Sequence, residues 1–130
     1  MSECCAQKNV LVFACSGGSN VGQLSNEAAK QLDREGVGSF FCLAGIGGGI
    51  AGIIKKSQDA TATIVIDGCE VGCAKAAFAR EGVDISKYVV ITDLGIEGHP
   101  VEVSHEEVQE AANKAQPLMT EIMREMIRRA

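Results

Sequence analysis

The sequence predicts an α/β fold: a small, doubly wound, Rossmann-like three-layer domain with a four-stranded, mainly parallel sheet and a long C-terminal helical segment. Three observations predict it. Short β-branched runs alternate with segments of helical period, in the order βαβαβαβα. The runs are apolar on both faces, as strands are when helices cover a parallel sheet from each side. Glycines and capping residues fall at the joints between the two kinds of segment.

Each element has its own warrant. "NVLVFAC" (Asn9–Cys15) is short, apolar and β-branched, a buried strand. In the next segment Val21, Leu24, Ala28 and Leu32 recur at helical spacing, and Gly36 stops the helix. "GSFFCLAG" reads as a second strand with Cys42 near its end, and "GGGIAGIIKKSQ" as a short helix opened by glycines. "ATATIVIDG" is the third strand, and the helix "VGCAKAAFAREG" ends at Gly82. "KYVVITDLG" is the fourth strand. From Ser104 the chain is helical, opened by a Ser104–Glu107 capping box, with Pro117 as a restart or kink. Leu118, Ile122, Met123, Met126 and Ile127 form one apolar face of that segment. The face is expected to pack on the sheet; a second copy of the chain, in a homodimer, is the alternative.

At 130 residues the whole chain, 1–130, reads as one domain able to bury an ordinary core, with residues 1–8 as a flexible leader. The charged fraction of 22% and hydrophobic fraction of 46% are those of a globular protein. A formal net charge of −5 argues against a nucleic-acid or anionic-membrane partner, since both call for a basic face. The start of the chain lacks the basic and apolar regions of a signal peptide. The longest uncharged apolar stretch, Phe40–Ile54, has 15 residues with five glycines, too short and Gly-rich to span a membrane. A cytoplasmic location is expected. The six cysteines are then read as metal-binding, catalytic or buried residues, not disulfides.

Placed on this outline, Cys15 ends the first strand, Cys42 lies near the end of the second, and Cys69 ends the third. Cys73 falls in the first turn of the following helix. In open parallel sheets, sites form beyond the carboxyl ends of the strands, near the switch in strand order. Four thiols therefore converge on one edge. Cys69 and Cys73 are four residues apart, on one helix face and within reach of one ion. A helix N-terminus there would favour thiolate, the form that binds metal or attacks an electrophile. Four sulfurs suit Zn²⁺, another thiophilic metal or an iron–sulfur cluster. Core filling by Cys15 and Cys42 is the blander alternative. Cys4 and Cys5 belong to the leader, as exposed thiols or as extra ligands.

The motif "DGC" at Asp67–Cys69 with Cys73 after it, "ACSGGS" at Ala14–Ser19 and "CLAGIGGGI" from Cys42 together resemble the DGC-domain family, over nearly the whole chain. That resemblance implies a prokaryotic protein proposed to bind zinc through four cysteines, here Cys15, Cys42, Cys69 and Cys73. It implies no reaction.

Other motifs are weaker. The loop after Cys15 has no arginine before Arg34, so it lacks the clamp of a cysteine phosphatase or arsenate reductase. Its glycines read as an anion cradle or as a tight turn needing positive φ. Gly47, Gly49 and Gly52 satisfy a dinucleotide fingerprint, but within a glycine run and in the second βα unit. Asp67 and Asp93 are expected at strand ends, with Asp67 either orienting the neighbours of a ligand thiolate or capping the helix after Gly68. His99 and His105 are candidate but weak metal ligands. No Ser-His-Asp or Cys-His-Asp set is legible. Two readings follow: a non-catalytic metal-binding protein, or a thiol, disulfide or persulfide enzyme or carrier with Cys69 as nucleophile and Cys73 as resolving thiol. The metal ion is the expected partner; any protein partner is unknown from sequence.

Overall fold

The computed structural model describes residues 9–129; the leader expected over residues 1–8, with Cys4 and Cys5, lies outside them. Four strands, β1 (Val10–Ala14), β2 (Ser39–Phe40), β3 (Ala62–Asp67) and β4 (Lys87–Val90), form one sheet in the order β2-β1-β3-β4. All three pairings are parallel. The switch in strand order lies between β1 and β3, which pair from Val10↔Ala62 to Ala14↔Ile66. Every residue of these two strands is buried, which explains their unbroken apolar runs.

Period-two alternation divides the core into two layers. Val10, Val12, Ala14, Ile64 and Ile66 face α1 (Asn20–Arg34) and α5 (His105–Arg129). Leu11, Phe13 and Val65 face α2 (Leu43–Gly47), α3 (Ala51–Gln58) and α4 (Cys73–Glu81). There the ring of Phe13 makes edge contacts with Phe78 and Phe41, at centroid distances of 4.8 and 5.8 Å. The helix expected after β1 forms as read, with Val21, Leu24, Ala28 and Leu32 buried and Ser19 Oγ accepting the amide of Gly22 at 3.2 Å.

Several boundaries differ from expectation. The second strand is only two residues long, and Cys42 lies past it, directly before α2. A short apolar run cannot be told from a helix by pattern; here Leu43–Gly47 closes a helical turn, with the amide of Gly48 on the carbonyl of Ala44. The fourth strand ends at Val90 and a 3₁₀ turn, Ile91–Leu94, follows, so Asp93 lies in that turn and not at the strand end. Pro117 neither restarts nor ends α5. It lies exposed on the outer side, where water can take the carbonyl its missing N–H leaves free. On the expected apolar face of α5, Ile122 is buried and Leu118, Met123 and Met126 pack against the core, while Ile127 is exposed. No helix among the described residues is long and apolar enough to cross a membrane.

Close backbone contact fixes the carboxyl edge. A Cβ on Gly68 would meet the amide nitrogen of Gly22 at 2.6 Å, and one on Gly22 would meet Gly17 at 2.8 Å. The loop after β1, the first turn of α1 and the loop after β3 are thus pressed together. Gly17 and Gly18 do not adopt positive φ, so no left-handed turn calls for them; a Cβ on Gly17 would meet the Cys15 sulfur at 3.3 Å, whereas one on Gly18 would point into open space. Nor is the glycine run a nucleotide loop: Gly47 ends α2, Gly49 turns at φ 71° and Gly52 lies inside α3, so no strand enters it.

The segment between the 3₁₀ turn and α5 is strapped to α1. Buried Asn20 donates to the carbonyl of Glu97 at 2.9 Å and accepts the amide of His99 at 2.5 Å, while its own amide meets the carbonyl of His99 at 3.0 Å. The capping box forms reciprocally: the Ser104 amide lies 2.7 Å from Glu107 Oε2 and the Glu107 amide 3.2 Å from Ser104 Oγ. Glu107 Oε1 also meets His99 Nε2 at 3.0 Å.

Two outcomes are expected. Gly68→Ala forces backbone apart and lowers unfolding free energy by about 1–3 kcal/mol in urea titration; an unchanged midpoint would contradict the close packing. The carbonyl of Pro100 and then the Glu107 carboxylate raise the His99 pKa above its ordinary value. The Ser104 amide and then His99 hold Glu107 below the carboxylate range. For the raised histidine the favourable term is complete below the unfolded value and fades as pH rises through the folded one. For the lowered glutamate it is complete above the unfolded value and fades as pH falls. The pair is therefore tightest between about pH 4.5 and 6.5, and an NMR titration of His99 should move toward lower pH in Glu107→Gln.

Candidate functional site

The site is built where the carboxyl ends of β1 and β3 meet the first turns of α1 and α4. Cys15 follows β1, and its amide extends the ladder to the carbonyl of Ile66 at 2.9 Å. Its own carbonyl accepts a short hydrogen bond from the Ser25 hydroxyl, which is shared with the carbonyl of Gly22 at 2.7 Å. Gln23 Nε2 holds back the carbonyls of Ser16 and Gly17, at 3.3 and 2.9 Å. The backbone N–H groups of Gly17 and Gly68 act to lower the pKa of the Cys15 thiol.

Those amides favour thiolate, but they lose. Burial pushes the Cys15 thiol above its ordinary value; the charges of Asp67 and Cys73 add to the rise. Cys15 is half-buried, as is Cys69, whereas Cys42 and Cys73 are exposed; all four are free thiols. Cys73 is the first residue of α4. It shares with Cys42 the lining of a groove of about 550 Å³.

Asp67 organises this end of the molecule. Strand parity turns it toward the α4 side, where it is 1% exposed. Its Oδ1 accepts the amide of Ala74 at 2.9 Å, and its Oδ2 accepts the amide of Lys75 at 3.0 Å and the Tyr88 hydroxyl at 2.7 Å. The expected capping role is present, exerted from the strand across the loop Gly68–Gly72. Gly72 turns that loop at φ 67°, in the left-handed region, and a Cβ there would lie 3.4 Å from the Tyr88 hydroxyl. Burial first, and then Asp67, push the Tyr88 hydroxyl far above its ordinary value, so it stays a donor.

This arrangement changes the electrostatics expected from sequence. The free N–H groups at the start of α4, which were to favour thiolate at Cys69 and Cys73, include two already held by a carboxylate. The start of α4 is thus capped by a carboxylate and does not present a vacant positive end.

All four predicted thiols lie just past the carboxyl ends of strands or at the start of α4: Cys42 and Cys73 line one groove, whereas Cys69 packs against the α1–α5 layer of the core. They are not drawn into a cage. Among the described residues, no three His, Cys, Asp or Glu side chains stand close enough to hold one metal ion. His99 is engaged by Pro100 and Glu107. Tyr88 and Asn20 escaped the sequence reading. Tyr88 is the only tyrosine, but its role follows from the pairing Val65↔Tyr88, which puts it on the same side of the sheet as Asp67. Asn20 offered only its place in a helix start.

A family model described as "DGC domain" matches residues 11–115, a span that includes all four thiols and stops inside α5. The "Anaerobic and virulence modulator AnvM" of Pseudomonas aeruginosa is 35% identical to this chain over 86 residues, covering 66% of this chain and 66% of the relative. No solved structure matches the chain. With most of its length inside the family match, and with the Asp67-Gly68-Cys69 motif at the end of β3, this chain belongs to the DGC-domain family.

Proposed function

We propose that the protein binds a thiophilic metal ion, zinc foremost, through Cys15, Cys42, Cys69 and Cys73. What supports the reading is that four free thiols lie just past the carboxyl ends of β1, β2 and β3 or open α4, near a buried carboxylate seated on that helix N-terminus. Negative charge gathered there calls for a cation, and sulfur donors select a soft or borderline one. The donor set fits zinc in chemistry. Its arrangement is open, so binding must draw the four sulfurs together.

The division of the thiols suggests an order. Cys42 and Cys73 are exposed and meet the ion first; Cys15 and Cys69 are half-buried and complete the set. Each thiol that ligates gives up a proton, so affinity rises with pH. The raised pKa of Cys15 extends its share of that dependence to higher pH. The reading places the protein in the reducing cytoplasm, where free thiols persist. The Pseudomonas relative carries the name of a modulator; binding and release of a thiol-held metal would give this chain an input of that kind.

Zinc titration of the reduced, metal-free protein in competition with a chromophoric chelator tests the reading. One equivalent is expected, with single Cys→Ser changes at these four positions weakening binding by about 100-fold or more. No uptake of Zn²⁺, Cd²⁺ or Cu⁺ sinks it. Thiol accessibility gives an independent check: iodoacetamide at neutral pH should label Cys42 and Cys73 well before Cys15, as mapped by peptide mass spectrometry, with Cys15 catching up only in alkaline solution.

A further inference from the structure

Cys42 and Cys73 belong to different elements of the fold. The first precedes α2 and the second opens α4. The helices lie side by side on the same layer of the core, and the carbonyl of Gly47 at the end of α2 accepts a short hydrogen bond from Arg80 Nη2 of α4. Their first residues therefore both stand at the carboxyl edge. Between them opens the groove, of about 550 Å³, a size typical of small-molecule sites.

The lining defines the ligand. Phe41, Leu43, Ala44 and Ala77 make apolar walls, and Cys42 and Cys73 are the chemically reactive groups; no charged side chain lines it. Ser16 and Asn26 are its polar lining, and no charged side chain is there to form an ion pair with a phosphate, a carboxylate or an amine. An apolar body is accommodated by the walls, and a soft electrophilic centre is accommodated by two exposed thiols.

We propose that this groove is a dithiol site for a small organic molecule carrying a soft electrophilic centre, of the trivalent organoarsenical class, captured by Cys42 and Cys73 together. The site goes beyond the four-thiol reading and does not depend on it, since it uses neither Cys15 nor Cys69. Capture is a condensation without redox change. For phenylarsine oxide, two S–H bonds break, two As–S bonds form, and the arsenic-bound oxygen leaves as water with both protons. Arsenic stays trivalent.

The test uses phenylarsine oxide and inorganic arsenite with the reduced, metal-free chain, in a Cys4→Ser/Cys5→Ser background that removes the leader thiols. Intact mass should show one phenylarsenic group per chain, and later alkylation should find Cys42 and Cys73 protected. Cys15→Ser/Cys69→Ser should retain capture, whereas Cys42→Ser or Cys73→Ser should weaken it by about 100-fold or more, the loss expected when a two-point attachment becomes one-point. The phenyl compound should bind roughly tenfold or more tighter than arsenite, the share that apolar burial supplies. Ala44→Gln, which puts a polar chain on the groove wall and leaves both thiols, should erase most of that preference. Protection of Cys69 with Cys73, or undiminished capture in Cys42→Ser, overturns the assignment. Equal binding of the phenyl compound and arsenite overturns the groove's part in it. Zinc titration of Cys15→Ser/Cys69→Ser separates the proposals: full zinc affinity there defeats the four-thiol reading while leaving the dithiol site standing.

Discussion

A single buried carboxylate holds the functional edge in shape. Asp67 ends the central strand β3 with 1% of its surface exposed, a placement that costs several kcal/mol per ion unless partners are supplied. Three donors supply them: two amides of α4 and the hydroxyl of Tyr88. The same bonds tie β3, α4 and β4 into one corner. Cys69 and Cys73 lie on the loop and first turn that this corner spans, so their backbones are fixed from one side by Asp67. From the other side they are fixed by Gly68, whose carbonyl accepts the Thr92 amide and whose missing side chain lets α1 press close. The Asp-Gly-Cys sequence is thus one structural device: charge to anchor the helix, absence of a side chain for the approach, and a thiol placed by both.

The strands that sequence identified most firmly are those buried on both faces. In β1 and β3 the apolar run, the strand and the burial coincide, because parallel pairing at the sheet centre leaves no solvent face to break the pattern. Legibility fails at the edge. β2 is paired on one side only and for two residues, so its sequence carries too little strand signal to mark where it stops. The apolar run through Cys42 then continues into α2 with no change in composition, and pattern alone cannot place the boundary. β4 ends early for a related reason: Ile91 remains buried, but its backbone already turns, so hydrophobicity persists after the strand is over.

The placement of the candidate thiols was legible at the same level as the strands that carry them. Which thiols share an edge follows from where β1, β2 and β3 end, and a two-residue error at Cys42 leaves it on that edge. Which thiols touch depends on loop path and side-chain rotamer, and no sequence period encodes either. Tyr88 illustrates the difference. Its partner Asp67 is 21 residues away, on the neighbouring strand. One residue of slip in the β3–β4 register would turn the tyrosine to the other layer of the core.

The Asp67 anchor also bears on what the thiols can do. Two of the amides at the start of α4 are held by its carboxylate and are not free to face a ligand or a thiol. At Cys15 burial raises the thiol pKa, with Asp67 and Cys73 adding to the rise, against the lowering effect of the Gly17 and Gly68 amides. Such a cluster is poorly disposed to hold several thiolates by itself, since each ionisation makes the next harder. A cation reverses that relation: it favours every thiolate at once and offsets the buried carboxylate. On the proposed reading, a cation is what would let these cysteines act jointly, and the exposed pair at the groove is where it would arrive first.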